Sequence, residues 1–365
     1  KAFNYIYEWF ANPARYRDQV TKPTVLNYPI TDNCNARCIM CDIWKERSDN
    51  ELTKDQLAEI LQDELFTEIE HVGISGGEPS LIKNLEEYVA EITKIDKLKS
   101  ISITTHSFMP NRWKITIPKI KEVIKDKGIN FQMHLSLDGI GEVHDNVRRI
   151  PGGFRKVMQT YQLFKEHDIK VDFQSTISNS NIFSCPSLLE FAKKQQEEIQ
   201  FRIATEITRL YNQDSMQLVS MNKNEKSFFV DFLESNELND YTKNPKRKLF
   251  YKDLAKRLIQ NTEREAPCMF KKEGILLSAH GDLFLCSISD KKLGNAKKRS
   301  AHDIYFSEET RKIRQKLLRN TCPNCYHDQS GAWNPYTLIK EQVGVNKITD
   351  KFQKTTKFLQ NLMHI

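Results

Sequence analysis

The sequence lacks several features that would assign it to a large class of protein. No apolar run approaches the roughly 20 residues that a transmembrane helix needs, so we do not expect a membrane partner. No secretory signal pattern opens the chain, which begins at Lys1, and a cytoplasmic, reducing compartment is expected. No internal repeat or low-complexity segment is visible, which excludes a repeat protein.

A strong charge of one sign is also missing, because 55 Lys and Arg residues stand against 48 Asp and Glu residues, a net charge of +7. Basic stretches at 243–257 and 291–299 could meet phosphates, but such runs are more often solvated faces. Nucleic acid is therefore not an expected partner. With 39% hydrophobic residues in 365, the composition is that of a globular protein with one large or two ordinary domains.

Cysteine is well represented, and three of the eight cysteines, Cys34, Cys38 and Cys41, form a C-x3-C-x2-C cluster. Three thiolates so close together can hold an iron–sulfur cluster, which normally has four cysteine ligands. Three ligands leave one iron open for chemistry. Zinc is the alternative, with Asp42 or a distant residue as the fourth ligand. A disulfide is disfavoured because an odd number of thiols leaves one over.

Short apolar stretches alternate with helical patterns from residue 23 onward, which is typical of parallel βα units. Strands are predicted over 25–30, 71–75, 100–105, 131–136, 171–177 and 200–204. Helices are predicted from the capping box at 53–56 to about 65, and over 81–95, 117–125, 154–166 and 186–196. Six units fall short of the eight of a closed barrel. The predicted fold class is therefore α/β, a partial (β/α)6 TIM-type barrel with its open side covered by another segment.

Clusters of polar or glycine residues follow the predicted strands. The three cysteines follow the first strand, Gly-Gly-Glu-Pro at 76–79 the second, Thr-His-Ser at 105–107 the third and Ser-Leu-Asp-Gly at 136–139 the fourth. Ser-Asn-Ser-Asn at 178–181 follows the fifth. Loops at the C-terminal ends of barrel strands carry the sites of such folds. We therefore expect these clusters to converge on one face.

The pattern divides the chain into five parts. Residues 1–22 are predicted to form a helical lead, and 23–210 the barrel. Residues 211–265 have no β period and are interpreted as a helical bridge. Residues 266–330 form a small C-terminal unit, and 331–365 a helical tail.

The C-terminal unit combines a hairpin signal with four more cysteines. Apolar runs at 274–278 and 283–285 flank His-Gly-Asp, and Ser307 is a candidate N-cap of a charged helix. The cysteines are Cys268, Cys286, Cys322 and Cys325. Four thiolates complete one site without an open position, and they suit zinc as well as an iron–sulfur cluster. No cysteine follows Cys325, so one such site is expected.

The first cysteine cluster and the glycine motif resemble the radical S-adenosylmethionine (SAM) superfamily. In that family the open iron chelates SAM, and reductive cleavage yields a 5′-deoxyadenosyl radical that abstracts hydrogen. The resemblance implies that Cys34, Cys38 and Cys41 hold the SAM-binding [4Fe-4S] cluster. The residue before the third cysteine is usually aromatic in the family and packs on adenine. Here it is Met40, a polarisable side chain that suits the same packing.

The resemblance also implies further contacts with SAM. The Gly-Gly-Glu-Pro motif, whose backbone and glutamate hold the SAM amino group in the family, is Gly76, Gly77, Glu78 and Pro79. The segment at 136–139 resembles that of relatives with SPASM or twitch C-terminal domains, where a serine and an arginine bind the SAM carboxylate. This implies Ser136 and Arg148, with Arg149 as the alternative arginine. Thr176 and Asn179 lie where contacts with ribose and adenine fall.

The C-terminal unit resembles the twitch domain, a shortened SPASM domain that holds one auxiliary [4Fe-4S] cluster. Its expected fold is a small α+β domain with a β-hairpin. Full ligation by the four C-terminal cysteines implies a role in electron transfer. The implied cofactors are therefore SAM and two [4Fe-4S] clusters, one that binds SAM and one auxiliary.

The resemblance implies an oxidoreductase that abstracts hydrogen from a C–H bond of a small, sugar-like or other metabolite. Loss of an electron to the auxiliary cluster would complete a dehydrogenation, and flavodoxin or ferredoxin is the expected external reductant. One alternative is cross-linking or epimerisation of a ribosomally made peptide, with Cys185 as hydrogen donor or merely a small buried residue. A non-enzymatic zinc protein is another. His106 and Glu206 are candidates for substrate binding or proton transfer.

Overall fold

The computed structural model describes residues 20–45, 49–289 and 291–343. Residues 1–19 of the predicted lead helix and residues 344–365 of the predicted tail lie outside the described residues. Within the described ranges, no helix has both the length and the apolar character that a membrane crossing requires.

Six parallel strands form the body of the fold. They are β1 (Val25–Thr31), β2 (His71–Gly76), β3 (Ser100–Thr105), β4 (Asn130–Ser136), β5 (Lys170–Ile177) and β6 (Glu198–Ile203). Each strand pairs in parallel with the next one in the chain, and β6 lies at one end of the sheet. The barrel is therefore open, as predicted, and each strand begins and ends within two residues of its predicted bounds.

Helices follow the strands and build the hydrophobic core against the outer face of the sheet. They are α1 (Lys54–Leu61), α2 (Leu85–Ile92), α3 (Pro110–Ile124), α4 (Glu142–Arg148), α5 (Gly153–Glu166) and α6 (Cys185–Gln195). Ile101 and Ile103 of β3 are fully buried and share one core with Trp113 and Phe164. The two rings meet edge to face, with centroids 5.5 Å apart.

The inner face of the sheet is polar. Along β3, the buried isoleucines alternate with Ser102 and Thr104, which line a cavity inside the sheet. The polar lining continues on β4, β5 and β6 with His134, Gln174 and Arg202. The partial barrel therefore encloses an open polar space, whereas the interior of a closed (β/α)8 barrel is packed with side chains.

Four helices continue the chain after β6. They are α7 (Gln213–Val219), α8 (Lys223–Glu234), α9 (Asn236–Tyr241) and α10 (Pro245–Gln260). Phe232 of α8 packs edge to face on Phe201 of β6, with ring centroids 4.9 Å apart. The Tyr251 hydroxyl of α10 accepts a hydrogen bond from the Phe201 amide at 3.0 Å. Helices α8 and α10 therefore cover the β6 edge of the sheet.

The C-terminal unit extends the same sheet from its other end. Its strands are β7 (Gly274–Leu277), β8 (Asp282–Phe284) and β9 (Lys292–Asn295). β7 pairs in parallel with β1, and β7 and β8 form the predicted hairpin. Gly281 in its turn has a φ of +83°, which glycine adopts without strain. The result is one nine-stranded sheet, with β6 and β9 at its two ends.

Three helices complete the described chain, α11 (Ala301–Tyr305), α12 (Glu308–Asn320) and α13 (Pro335–Val343). Ser307 caps α12 as predicted, because its hydroxyl accepts a hydrogen bond from the Thr310 amide at 3.1 Å. The Asp63 carboxylate, which follows α1, accepts hydrogen bonds at 2.8 Å from the Ser300 hydroxyl and the Ala301 and His302 amides. This carboxylate joins the barrel to the C-terminal unit.

Candidate active site

The three cysteines of the first cluster lie on the loop after β1 and line the same cavity of about 550 Å³. Two other segments fix this loop by backbone hydrogen bonds. The Ile39 amide donates to the Val147 carbonyl at 3.0 Å, and the Asp42 amide donates to the Leu210 carbonyl at 3.0 Å. Cys34, Cys38 and Cys41 are therefore presented together at the C-terminal end of the strands, as predicted.

Burial disfavours the charged form of these thiols. It raises the pKa of Cys34 and Cys41 to about 12, and it also raises the pKa of Cys38. The Arg148 guanidinium lies 3.6 Å from the Cys38 sulfur and acts in the opposite direction. Three thiols around one cavity, one buried and two partly buried, fit a cationic metal centre, which would deprotonate them on binding.

The two glycines of the 76–79 motif allow close packing against the cysteine loop. A Cβ atom on Gly76 would lie 2.2 Å from the Thr31 carbonyl oxygen, and one on Gly77 would lie 2.2 Å from the Asn33 carbonyl oxygen. The Gly77 amide donates to the Thr31 carbonyl at 2.6 Å. Both glycines line the cavity, and their lack of a side chain also lets the backbone after β2 pack closely on the cysteine loop.

Glu78 is fully buried, and both of its carboxylate oxygens are engaged by the protein. One oxygen accepts from the Ser80 amide at 3.0 Å and the Thr105 hydroxyl at 2.6 Å, and the other from the His106 amide at 2.9 Å. Neither Glu78 nor Pro79 lines the cavity. In this structure Glu78 therefore links the ends of β2 and β3, and its carboxylate lies outside the cavity that the other predicted SAM contacts line.

His106 lines the cavity and joins the end of β3 to the cysteine loop. Its Nε2 lies 2.7 Å from Asn35 Oδ1, and its Nδ1 lies 3.1 Å from the Phe108 amide. These partners assign the hydrogen to Nε2, because the amide can only donate to Nδ1. Burial lowers the pKa of His106, so the neutral ring is favoured. Glu206, the other candidate, is exposed.

The structure distinguishes the two candidate arginines at the end of α4. Arg148 lines the cavity and donates to the fully buried Asp138 carboxylate at 2.5 Å. The other oxygen of Asp138 accepts from the Thr176 amide at 2.8 Å. Arg149 is exposed and has a φ of +53°. Arg148 is therefore the arginine that faces the predicted SAM site.

The remaining predicted residues divide into two groups. Met40, Ser136 and Thr176 line the cavity with the cysteines. Asn179 does not, and its side-chain amide donates to the Leu218 carbonyl at 3.0 Å.

Cys185 lies in the hydrophobic core at the start of α6, with no exposed surface. It is not part of the cavity lining, and burial raises the pKa of its thiol. The structure therefore favours packing over hydrogen donation for this cysteine.

The four C-terminal cysteines line a second, smaller cavity. Arg264 holds the loop after Cys325, donating to the His327 carbonyl at 2.8 Å and the Gln329 carbonyl at 3.1 Å. Burial raises the pKa of Cys286 to about 12. Within the described part of the chain, no three His, Cys, Asp or Glu side chains are arranged to hold a single metal ion. This holds for both cysteine sets, each of which shares a cavity.

The two cavities share a wall. Ser287, next to Cys286, lines the large cavity, and so do the four residues 326–329 that directly follow Cys325. His327 lines both cavities. The second set of cysteines is therefore placed beside the space that the first set faces.

Sequence reasoning missed a polar network in the barrel interior. Asp172 of β5 pairs with His134 of β4 and accepts from Gln132 at 3.1 Å and Gln200 at 3.2 Å. Arg202, Arg247 and Asp328 continue this network from three separate elements. The sequence contains part of the signal for this network, because polar residues occupy every second position of β4, β5 and β6 and so mark one face of the sheet as polar.

Two family models match the chain in the regions of the two cysteine sets. A model described as the Radical SAM superfamily matches residues 28–183, and a SPASM model described as an iron-sulfur cluster-binding domain matches residues 268–326.

Among curated proteins, the cysteine-type anaerobic sulfatase-maturating enzyme of Clostridium novyi (strain NT) is 23% identical over 333 residues, which are 83% of this chain and 84% of that enzyme. Fe-coproporphyrin III synthase of Methanosarcina barkeri is 25% identical over 177 residues, 48% of this chain and 42% of the synthase. GTP 3′,8-cyclase of Alkaliphilus oremlandii is 31% identical over 128 residues, 34% of this chain and 37% of the cyclase. The chain therefore spans less than half the length of the last two relatives.

Among solved structures, native anSMEcpe with bound AdoMet and Cp18Cys peptide superposes with a TM-score of 0.58 at 17% identity, covering 88% of this chain and 96% of that chain. Streptococcus suis SuiB bound to S-adenosylmethionine gives a TM-score of 0.57 at 14% identity, covering 88% and 75%. At these identities the likeness establishes the fold. The chain therefore carries a radical SAM domain followed by a C-terminal SPASM iron–sulfur cluster-binding domain, and the cofactors of these domains are SAM and iron–sulfur clusters.

Proposed function

We propose that Cys34, Cys38 and Cys41 hold the [4Fe-4S] cluster that binds SAM, and that Cys268, Cys286, Cys322 and Cys325 hold one auxiliary [4Fe-4S] cluster. Their partial or full burial and their convergence on two adjoining cavities support this ligand set. When bound, SAM and one electron from an external reductant would supply methionine and a 5′-deoxyadenosyl radical that takes a hydrogen atom from a substrate C–H bond, and the auxiliary cluster would accept the electron that the substrate then loses together with a proton to the surrounding water. The proposed reaction is a dehydrogenation.

The chain's own residues bind and orient SAM in this proposal. Arg148, held in place by Asp138, presents a planar guanidinium suited to the SAM carboxylate. Ser136 and Thr176 line the same wall and supply hydrogen-bonding groups, while Met40 offers an apolar surface for the adenine. Gly76 and Gly77 hold the cysteine loop against the end of β2. Glu78 does not line the cavity, and it links the ends of β2 and β3 through its hydrogen bonds with Thr105 and His106.

One observation carries the dehydrogenation. The residues next to two auxiliary cysteines, Ser287 and Tyr326, line the same cavity as the three cysteines of the first set. A substrate in that cavity would therefore lie between the two cluster sites. We also propose that a flavodoxin or ferredoxin supplies the external electron.

Metal analysis after anaerobic reconstitution tests the proposal. We expect about eight irons and eight sulfides per chain, and about four of each after C34A/C38A/C41A or after replacement of the auxiliary cysteines by alanine. SAM should change the electron paramagnetic resonance signal of the wild type but not of the triple variant. About four irons with one zinc would overturn the electron-acceptor role, and no iron would overturn the whole proposal.

A peptide is the second candidate substrate class, and the relatives favour it. The Clostridium novyi relative is named as a sulfatase-maturating enzyme, and solved structures show anSMEcpe with a bound peptide and SuiB with precursor peptide SuiA. Substrates deuterated at candidate carbons distinguish the classes, because deuterium would appear in 5′-deoxyadenosine only with the true substrate. Deuterium transfer from a peptide and not from small, sugar-like or other metabolites would replace the small metabolite, our first candidate, with a peptide.

A further inference from the structure

We propose that Arg202 and Arg247 form a binding site for an oxyanion of the substrate, either a carboxylate or a phosphate. The inference rests on the proposed function, because it places the substrate in the cavity that the three cysteines face. Arg202 lies on β6 and Arg247 in the first turn of α10, and both line that cavity.

The two guanidinium groups converge on a single carboxylate oxygen. Arg202 Nη2 lies 3.4 Å and Arg247 Nη1 lies 3.3 Å from Asp328 Oδ2. Their other contacts are neutral: Arg202 donates to Gln174 Oε1 at 2.6 Å, and Arg247 to Gln200 Oε1 at 2.5 Å. Two positive charges thus share one negative charge, which leaves one positive charge uncompensated within this group.

Arg202 also has an unused donor. Its Nε is buried and has no hydrogen-bond partner in the described part of the chain. A buried charged N–H without a partner is costly, and such groups are rare unless a ligand or water completes them. An oxyanion accepts several N–H donors at once and matches the fork geometry of a guanidinium.

The wider cavity reinforces this charge balance. Among the described residues, its lining includes four arginines and a single acidic side chain, Asp328. Arg148 is paired with Asp138, and Arg209 lies 3.8 Å from Asp32. Asp172, further along β5, is engaged by His134 and two glutamines. Of the four arginines, only Arg202 and Arg247 thus share one carboxylate oxygen between them, which favours an added anion at this pair.

A purely structural role for the two arginines and a ligand-binding role make opposite predictions for substitution of Asp328. This residue lies three positions after Cys325, and its buried carboxylate ties the auxiliary loop to β6 and α10. If these ion pairs only hold the loop in place, then Asp328→Asn weakens that attachment and creates no anion site. If the arginines bind an external oxyanion, Asp328 competes with that ligand, and its neutralisation strengthens binding.

Isothermal titration of the reconstituted, SAM-loaded full chain with sodium phosphate and with sodium acetate tests the site. SAM occupies the carboxylate site at Arg148, so added anions report the second site. We expect Arg202→Gln and Arg247→Gln each to weaken anion binding at least about tenfold, and Asp328→Asn to strengthen it about tenfold. Arg299→Gln removes the same charge from an exposed position and should leave the affinity unchanged.

Each outcome decides the question. Tighter phosphate binding assigns a phosphorylated substrate, and tighter acetate binding assigns a carboxylic acid. Equal affinities in wild type and both arginine variants, or weaker binding in Asp328→Asn, would overturn the site. Arg202→Lys, which keeps the charge but loses the fork, replaces the glutamine variant if that one does not fold. Iron content and SAM affinity, measured on the same samples, report separately on the proposed function.

Discussion

Replacing Gly77 by alanine should disrupt the first cluster site without touching a cysteine. The new Cβ atom would lie 2.2 Å from the Asn33 carbonyl oxygen and 2.6 Å from its carbonyl carbon. Carbon–oxygen contacts settle near 3.3 Å, so the backbone must move by about 1 Å. Asn33 directly precedes Cys34, and functional groups must be held within about 0.5 Å. The displacement therefore exceeds what the cluster ligands tolerate.

Gly77→Ala is expected to lower the unfolding free energy by about 1–3 kcal/mol, the usual cost of overpacking. Iron in the SAM-responsive site should fall, and formation of 5′-deoxyadenosine should drop about 100-fold. Iron analysis, paramagnetic resonance with and without SAM, and urea unfolding followed by circular dichroism measure these effects. The auxiliary cluster should retain its iron, because its cysteines lie on other loops.

Gly73→Ala is the matched control, because Gly73 lies on β2 four residues before Gly77 and its new Cβ atom would meet only Ser102 Oγ, at 3.7 Å. Neither glycine has a left-handed φ, so the two variants differ in contact alone. We expect the control to keep its full iron content and its urea midpoint. Full iron content and an unchanged midpoint in Gly77→Ala would refute the reasoning.

Four further changes have separate expected outcomes. Arg148→Lys should weaken SAM binding at least about tenfold in equilibrium dialysis, and Arg149→Lys should not; equal losses would contradict the assignment. Cys185→Ala should keep both SAM cleavage and product formation, whereas intact cleavage without product would restore it as hydrogen donor. Glu78→Gln should lower the unfolding free energy by about 1–3 kcal/mol, because its amide N–H groups face donors; an unchanged urea midpoint would contradict this. Burial raises the pKa of Asp63, but hydrogen bonds outweigh it and hold that pKa below its usual value. Its contribution is therefore present at neutral pH and lost as pH falls through the lowered pKa, so Asp63→Asn should destabilise the protein at pH 7 but not in strong acid.

The sequence predicted what local patterns determine. The six parallel strands, the cap at Ser307 and the hairpin around Gly281 all follow from short-range signals, and the structure contains each of them. One helix was predicted too short, because α3 was expected only over 117–125. The helix begins at Pro110, where proline suits the first turn, and it tolerates Pro118 in its interior.

Contacts between distant segments could not be predicted in the same way. The pairing of β7 with β1 joins residues about 250 positions apart, and no pattern in either strand names its partner. Arg247 and Asp328 lie 81 positions apart and meet only because α10 and the auxiliary loop pack on one edge of the barrel. Glu78 illustrates the converse, because its motif suggested a ligand contact while its oxygens are used by the chain itself.

The polar interior of the barrel has a consequence for how its variants behave. Stability of the sheet comes chiefly from its outer face, where Ile101, Ile103 and Trp113 are fully buried, because apolar burial is the dominant favourable contribution to folding. The inner face instead holds polar groups, which cost free energy unless they are paired. Asp172 satisfies this condition with three partners, whereas Arg202 does not, because its Nε has none. Loss of the Arg202 guanidinium would leave Asp328 paired with Arg247, and the unused buried donor of Arg202 is better explained by ligand binding than by folding. Substitutions at Arg202 should therefore change affinity more than unfolding free energy, and the reverse should hold at Ile103.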